Sequence, residues 1–169
     1  GGYSAAKLRR YQDLIDEHIS KEMNPLMQTV MRTQGFMLPD ENEGKDFPVL
    51  NMLNMKYAVV PLQGGKQAPV QNPYAMGNCW FVDSVEVAPT PDDEIALLAA
   101  TDLQTTAVVG DDFAWARESD AFSGNKSVSA FPERGEGFRQ DLIYLDYYAP
   151  NELRYMFSTA RERAAVFSE

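Results

Sequence analysis

The chain has 169 residues, of which 44% are hydrophobic and 11% aromatic, with a formal net charge of −10 and a pI near 4.6. A chain of this length buries roughly 70% of the surface that its unfolded form exposes, so we expect one folded domain that needs no disulfides. The negative charge repels phosphate backbones, which excludes nucleic acid as an expected partner. Residues 61–169 carry 17 acidic and 8 basic residues, so most of the acidity lies there.

The single cysteine, Cys79, cannot form an internal disulfide and is predicted to be a small buried apolar residue. Apolar runs such as Ile95–Ala100 are far shorter than the roughly 20 residues that a membrane span needs. No signal-peptide pattern opens the chain. We therefore expect a soluble segment that belongs to a longer protein.

Helical spacing predicts that the chain opens with a helical hairpin. Apolar residues recur at this spacing from about Ala5 to Lys21, and Asn24-Pro25 is typical of the start of a second helix, which ends near Gly35. His18 lies on the polar side of the first helix and is expected to be solvated. We expect the hairpin to pack on a sheet that contains Tyr57–Val60 and Trp80–Val87, with four side chains buried: Leu8, Ile15, Val59 and Val82.

Strands and one crossing helix are predicted for the middle of the chain. Lys56–Leu62 reads as a core strand, followed by a tight turn at Gly64-Gly65. Gln67–Gln71 is predicted to be an edge strand, because Pro69 has no backbone N–H to donate a hydrogen bond to a neighbouring strand. Residues 79–87 suggest a half-buried strand with a bulge near Asp83 and Ser84. Thr90 and Pro91, with three acids in the first turn, predict a helix over 91–100.

The rest of the chain predicts further strands. Leu103–Val109 is a short strand, and in residues 110–128 Phe113 and Trp115 could anchor a turn of helix in an exposed segment. Three alternating stretches from residue 139 onward predict a C-terminal β-meander. The fold class is therefore α+β, with an N-terminal helical hairpin on a mixed or antiparallel sheet. We expect a single domain over 1–169, with a possible sub-boundary in the loop 119–137.

The sequence lacks the usual constellations of catalytic or metal-binding residues. One histidine and one cysteine cannot supply a zinc site, and Asp40–Asp46 lacks the bidentate glutamate of a calcium loop. The pairs Asp92-Asp93 and Asp111-Asp112 are adjacent, so their side chains point apart and suit helix starts better than glycoside hydrolysis. We expect no catalytic residue, no metal and no cofactor. Several aromatic residues suit either a carbohydrate platform or ordinary packing: Tyr3, Tyr74, Trp80, Trp115, Tyr147 and Tyr148.

Five segments in order resemble a known family: SAAKLRRYQDLID, VLNMLNMKYAVVP, NPYAMGNCWFV, PDDEIALLAATDLQTTAVV and YAPNELRYMFSTARERAAVFSE. From about Ser4 to Glu169 the chain resembles the extracytoplasmic region of the YfhO family of bacterial polytopic membrane proteins, in the version typical of Bacteroides-like bacteria. The resemblance implies a parent of glycosyltransferase C-like architecture. Such a parent is thought to move sugars from a polyprenyl-phosphate carrier onto cell-envelope glycopolymers.

The resemblance implies an accessory role for this chain. No position matches the family's catalytic acids, so we expect a non-catalytic domain on the extracytoplasmic, periplasmic face of the inner membrane, while the full-length parent would be a membrane glycosyltransferase. The alternative is a stand-alone carbohydrate-binding or protein-interaction module. In the family the strand after AVFSE continues into further strands, so we also expect an exposed edge and a homodimer of the isolated segment.

The stretch NPYAMGNCWFV, residues 72–82, is predicted chiefly to be a fold-defining corner, because Asn-Pro and glycine reverse the backbone before a strand. A second hypothesis is that its rim, formed by Tyr74, Asn78 and Trp80, lines a groove. The expected occupants are a glycan, a lipid-linked sugar, or the transmembrane part of the same protein.

Overall fold

The structure, a computed structural model, describes residues 5–32, 46–61, 63–118, 141–159 and 162–168. The α-helices in these ranges are α1 (Ala5–Leu14), α2 (Ser20–Arg32), α3 (Pro48–Met52) and α4 (Pro91–Ala100). The strands are β1 (Tyr57–Pro61), β2 (Gln67–Gln71), β3 (Cys79–Val82), β4 (Ser84–Ala88), β5 (Thr106–Gly110), β6 (Leu142–Ala149), β7 (Glu152–Ser158) and β8 (Ala164–Phe167). The predicted α+β class is confirmed.

The chain divides into two compact units. The first consists of Gly1–Met76 with Ile95–Leu103, and the second of Gly77–Glu94 with Gln104–Glu169. The expected single domain stays a prediction, and its possible boundary at 119–137 lies outside the described residues. Across the ranges that the structure describes, no helix combines the length and the apolar character needed to cross a membrane.

The N-terminal helices form one continuous rod, so the predicted break at Asn24-Pro25 is wrong. A π-helical turn, Ile15–Ile19, joins α1 to α2, and Pro25 lies inside α2. A proline inside a helix costs about 3 kcal/mol. Burial offsets this cost, because Ile19, Met23 and Leu26 continue the apolar stripe across the proline and pack in one cluster.

The first unit has its core between the helical rod, α3 and one β-hairpin. Buried side chains of this core are Leu26, Phe47, Leu50 and Ala58. Strands β1 and β2 pair antiparallel, and Met27 packs on the inward-facing Val60 and Val70. The prediction that β1 is a core strand holds for Ala58 and Val60, but the predicted burial of Val59 is wrong, since Val59 is 63% exposed. Side chains alternate along a strand, and only one face of this hairpin is covered.

The second unit begins with two short strands where one was predicted. Strand β3 pairs antiparallel with β8, whereas β4 pairs parallel with β5. The expected bulge is the point where the chain changes sheets, and there the backbone N–H groups of Asp83 and Ser84 both donate to the Thr105 carbonyl, at 2.7 and 3.2 Å. Val82, the last residue of β3, is 1% exposed, which confirms its predicted burial.

Helix α4 connects β4 to β5 and begins as predicted. The Asp93 N–H donates to Thr90 Oγ1 at 3.2 Å, and the Thr90 hydroxyl donates to Asp93 Oδ2 at 2.6 Å. These two bonds form a reciprocal cap of the kind that is worth about 1 kcal/mol. After β5 a 3₁₀ helix, Asp111–Glu118, carries the exposed Phe113 and Trp115.

Strands β6 and β7 form an antiparallel hairpin around the predicted turn at Pro150-Asn151, with a register shift between Leu145 and Tyr147. The predicted meander does not continue, because β8 pairs with β3. The Tyr155 and Phe167 rings nevertheless meet edge to face at 4.7 Å between centroids.

Arg163 joins several elements of the second unit. Its side chain is 12% exposed, and its guanidinium forms ion pairs with Asp141 at 2.7 Å and with Asp83 at 2.9 Å and lies 5.4 Å from the centre of the Phe81 ring. A guanidinium between two carboxylates and an aromatic face is held in one geometry. It fixes the starts of β6 and β8 relative to the end of β3.

Leu26→Ala should lower the free energy of unfolding by about 2 to 5 kcal/mol, because Leu26 is fully buried and truncation leaves a cavity. Urea denaturation measures the loss. Met31→Ala, on the same helix at a position 68% exposed, is the control and should change stability by no more than about 0.5 kcal/mol. Equal losses in the two variants would contradict this description of the core.

Candidate functional site

The corner at the start of residues 72–82 depends on Asn72, which is 3% exposed. Its Nδ2 donates to Asn51 Oδ1 and to the Met55 carbonyl, both at 2.9 Å, and its Oδ1 accepts the Tyr74 N–H at 3.0 Å. The last bond closes an Asx turn around Pro73. The side chain therefore directs the backbone reversal, which supports the interpretation of this stretch as a fold-defining corner.

Main-chain bonds extend the corner on both sides. The Asn72 N–H donates to the Lys56 carbonyl at 2.8 Å, and the Met76 N–H donates to the Asn51 carbonyl at 3.0 Å. Further along, Gly77 has φ of +86°, a conformation that favours glycine. In the second unit Ser168 Oγ donates to the Gly77 carbonyl at 2.8 Å.

The three residues predicted to line a groove fall in different units. Tyr74 belongs to the first unit, where its ring packs edge-on against Phe47 with 5.9 Å between centroids. Asn78 and Trp80 belong to the second; the Asn78 carbonyl accepts the Ser168 N–H at 3.0 Å, and Trp80 lies opposite Val166 in the β3–β8 pair. All three side chains are half-buried. The groove itself stays a prediction.

His18 and Glu22 are buried, and the expectation of a solvated His18 is wrong. His18 is 6% exposed, and its Nε2 lies 2.7 Å from the Ile95 carbonyl. The prediction rested on a regular α-helix with 3.6 residues per turn. In the π-helical turn Ile15–Ile19 each hydrogen-bonded ring contains one residue more than in an α-helix. The extra residue changes which side chains face the core.

Glu22 holds the start of α3. Its Oε1 accepts the Val49 N–H at 3.0 Å and its Oε2 accepts the Leu50 N–H at 2.8 Å. Burial raises the pKa of Glu22 above its ordinary value, and the two backbone bonds and the neighbouring His18 oppose that rise. The carboxylate thus caps a helix that lies 27 residues away in sequence. Nothing near Glu22 in the sequence indicated these two backbone partners.

Metal binding finds no support in the described ranges. They contain no group of three or more His, Cys, Asp or Glu side chains that could hold an ion. The acidic stretch 40–46 lies outside the described residues except for Asp46. Cys79 is buried in β3, as predicted.

One face of the β6–β7 hairpin is apolar and exposed. We call Leu142, Tyr144, Tyr147 and Met156 the β6–β7 face; their side chains are 53%, 46%, 45% and 48% exposed. Tyr144 lies directly opposite Met156, and cross-strand partners share a face of the sheet. Beyond the register shift Tyr147 lies opposite Arg154, whose guanidinium is 5.3 Å from the Tyr147 ring centre. The alternating pattern predicted the strands but not that this face would remain uncovered.

Comparison with known proteins yields no match to a family model, to a curated protein or to a solved structure.

Asn72→Ala should lower the free energy of unfolding by about 3 kcal/mol or more, because it removes both donors and the acceptor of a buried amide. Thermal or urea unfolding measures the loss. Gln71→Ala changes the preceding, exposed residue and should cost much less. A small loss in the Asn72 variant would show that the corner does not depend on this side chain.

Glu22→Gln should change how stability depends on pH. A carboxyl whose pKa is raised by folding binds a proton more readily in the folded state, so its contribution to the free energy of unfolding falls as pH rises from about 4.5 to the raised pKa. Glutamine has no such dependence. The stability of the wild type minus that of the variant should therefore be largest near pH 4 and decrease toward neutrality. Urea unfolding over this range measures the difference, and an increase with pH would contradict the assignment.

Proposed function

We propose that this chain is a non-catalytic extracytoplasmic accessory domain of a glycosyltransferase C-like membrane protein of the YfhO type. Its role is to pack on the transmembrane part of the same protein at the periplasmic face of the inner membrane. There it would shape the site at which a lipid-linked sugar meets a cell-envelope glycopolymer. The family resemblance of the five segments suggests this context.

The observation that carries the proposal is the β6–β7 face. Four large apolar side chains on one face of a two-stranded sheet are each about half exposed, among them Tyr144 and Met156 at its centre. Contiguous exposed apolar surface of this kind marks interaction sites. A domain that packs on another part of its own protein needs such a face.

The buried polar groups support a binding role over a chemical one. Glu22 accepts from two backbone N–H groups, Asn72 bonds to the Asn51 amide and to backbone groups, and the terminal nitrogens of Arg163 pair with two carboxylates. Each of these bonds positions a helix, a turn or a strand. Groups engaged in this way stabilise a scaffold and are not poised to act on a substrate.

A stand-alone binding module is the second candidate, and the tyrosines of the hairpin favour it. Tyr144, Tyr147 and Tyr148 are all at least 45% exposed, and tyrosine serves both protein and glycan recognition because its ring is apolar and its hydroxyl is polar. The two candidates differ in the coding sequence around this segment. Long apolar spans on either side support the accessory domain, whereas a gene without spans would exclude it.

In the full-length protein, a cysteine introduced at Met156 should form cross-links to the transmembrane part, because the β6–β7 face is expected to rest against it. Mass spectrometry of the cross-linked peptides locates the partner. The matched control is Val59→Cys, at a position on β1 in the first unit that is more exposed than Met156 (63% against 48%), and it should cross-link much less. Equal cross-linking from both positions would contradict packing through this face.

A further inference from the structure

We infer that the β6–β7 face binds a protein surface that is apolar at its centre and basic at its rim. The inference rests on the proposed function and specifies the chemistry of the partner at that same face.

The composition of the face is that of a protein interface. Tyrosine, methionine and arginine are enriched where proteins bind each other, and lysine is depleted. Tyr144 and Met156 stand opposite each other at the centre, and Arg154 stacks on Tyr147 at one end. Strands β6 and β7 contain no lysine. A flexible methionine beside rigid aromatic rings can adapt to the partner's shape.

The area of the face argues against a second copy of this chain as the occupant. Four side chains that are about half exposed offer on the order of 400 Å² of apolar surface, since an aromatic side chain covers about 200 Å². A stable complex of two free proteins buries about 800 Å² on each partner. Two chains of net charge −10 would also repel each other. A small face suits a partner in the same polypeptide, because the tether gives that partner a high effective concentration, which compensates for the small area that binding buries.

The charges around the face indicate whether the surface of the partner should be acidic or basic. Asp146 and Glu152 are exposed on the two strands, and Arg154 is the only cation there. Both side chains of the ion pair between Arg154 and Glu152, 2.8 Å long, are exposed. The pair therefore contributes little to stability, and Glu152 can pair with a cation of the partner instead. With Arg154 counted, the two strands carry one net negative charge, and the chain as a whole is also negative, so both attract cations. Basic residues flanking an apolar centre are therefore the complement of this face.

The experiment uses the purified chain and two synthetic peptides. Both alternate leucine and phenylalanine with serine; one carries two lysines at each end, and the other carries glutamates in their place. With methyl-labelled methionine, NMR titration should show the Met156 signal shifting with the lysine peptide at low salt. Met31, which is 68% exposed on α2 in the first unit, should not shift. The glutamate peptide should bind about tenfold more weakly or worse, and the difference should narrow as salt rises.

Two variants separate the possible outcomes. The double variant Tyr144→Ser, Met156→Ser should bind the lysine peptide about tenfold more weakly, whereas Val59→Ser should leave its affinity unchanged. The fluorescence of the peptide measures the affinity in each case. Equal binding of the two peptides, or no shift at Met156, would overturn the inference. Self-association of the chain that is lost in the double variant would also overturn it, since a second copy would then be the occupant. None of these results bears on the coding sequence around the segment, which tests the proposed function separately.

Discussion

Asn51 and Asn72 face each other at positions that are 1% and 3% exposed, and the first unit depends on this contact. A buried amide without partners costs several kcal/mol, so each must be bonded to something fixed. Asn72 bonds to Asn51 and to the Met55 carbonyl, which ties the end of β2 to the segment that follows α3. Glu22 in turn fixes the start of α3 from the helical rod. The helices, the β1–β2 hairpin and the corner are thus connected through one chain of buried polar bonds.

Structure that depends on neighbouring residues was predicted well. Thr90 and Asp93 are three residues apart and cap α4 whatever the rest of the chain does. Gly64 and Gly65 adopt positive φ in the turn where they were expected. The β6–β7 turn at Pro150-Asn151 is equally local. In each case the interaction closes within a few residues, so the sequence alone contains both partners.

The failed predictions all depend on partners that are distant in sequence. Pro25 remains inside a helix because residues on both sides of it share one core cluster. His18 turns inward, where a π-helical turn changes the register of the helix and the Ile95 carbonyl, 77 residues away in sequence, contacts its ring nitrogen. Val59 is exposed because its strand belongs to a hairpin covered on one face only. The candidate site was missed for the same reason: alternation shows that Tyr144 and Met156 share a face with their neighbours, but not whether another element covers that face.

The exposed β6–β7 hairpin also limits the functions that the chain can have. A two-stranded sheet is marginally stable by itself, and β6–β7 gains its support from one side, through contacts such as Tyr155 with Phe167. Both faces of the hairpin carry exposed apolar side chains, such as Met156 on one and Phe157 on the other, and such surface favours aggregation and contributes nothing to folding. A net charge of −10 opposes the association of such a chain with its own copies through electrostatic repulsion. The same charge attracts basic surfaces, so on the proposal above the charge that opposes self-association also favours the kind of partner that would cover the β6–β7 face.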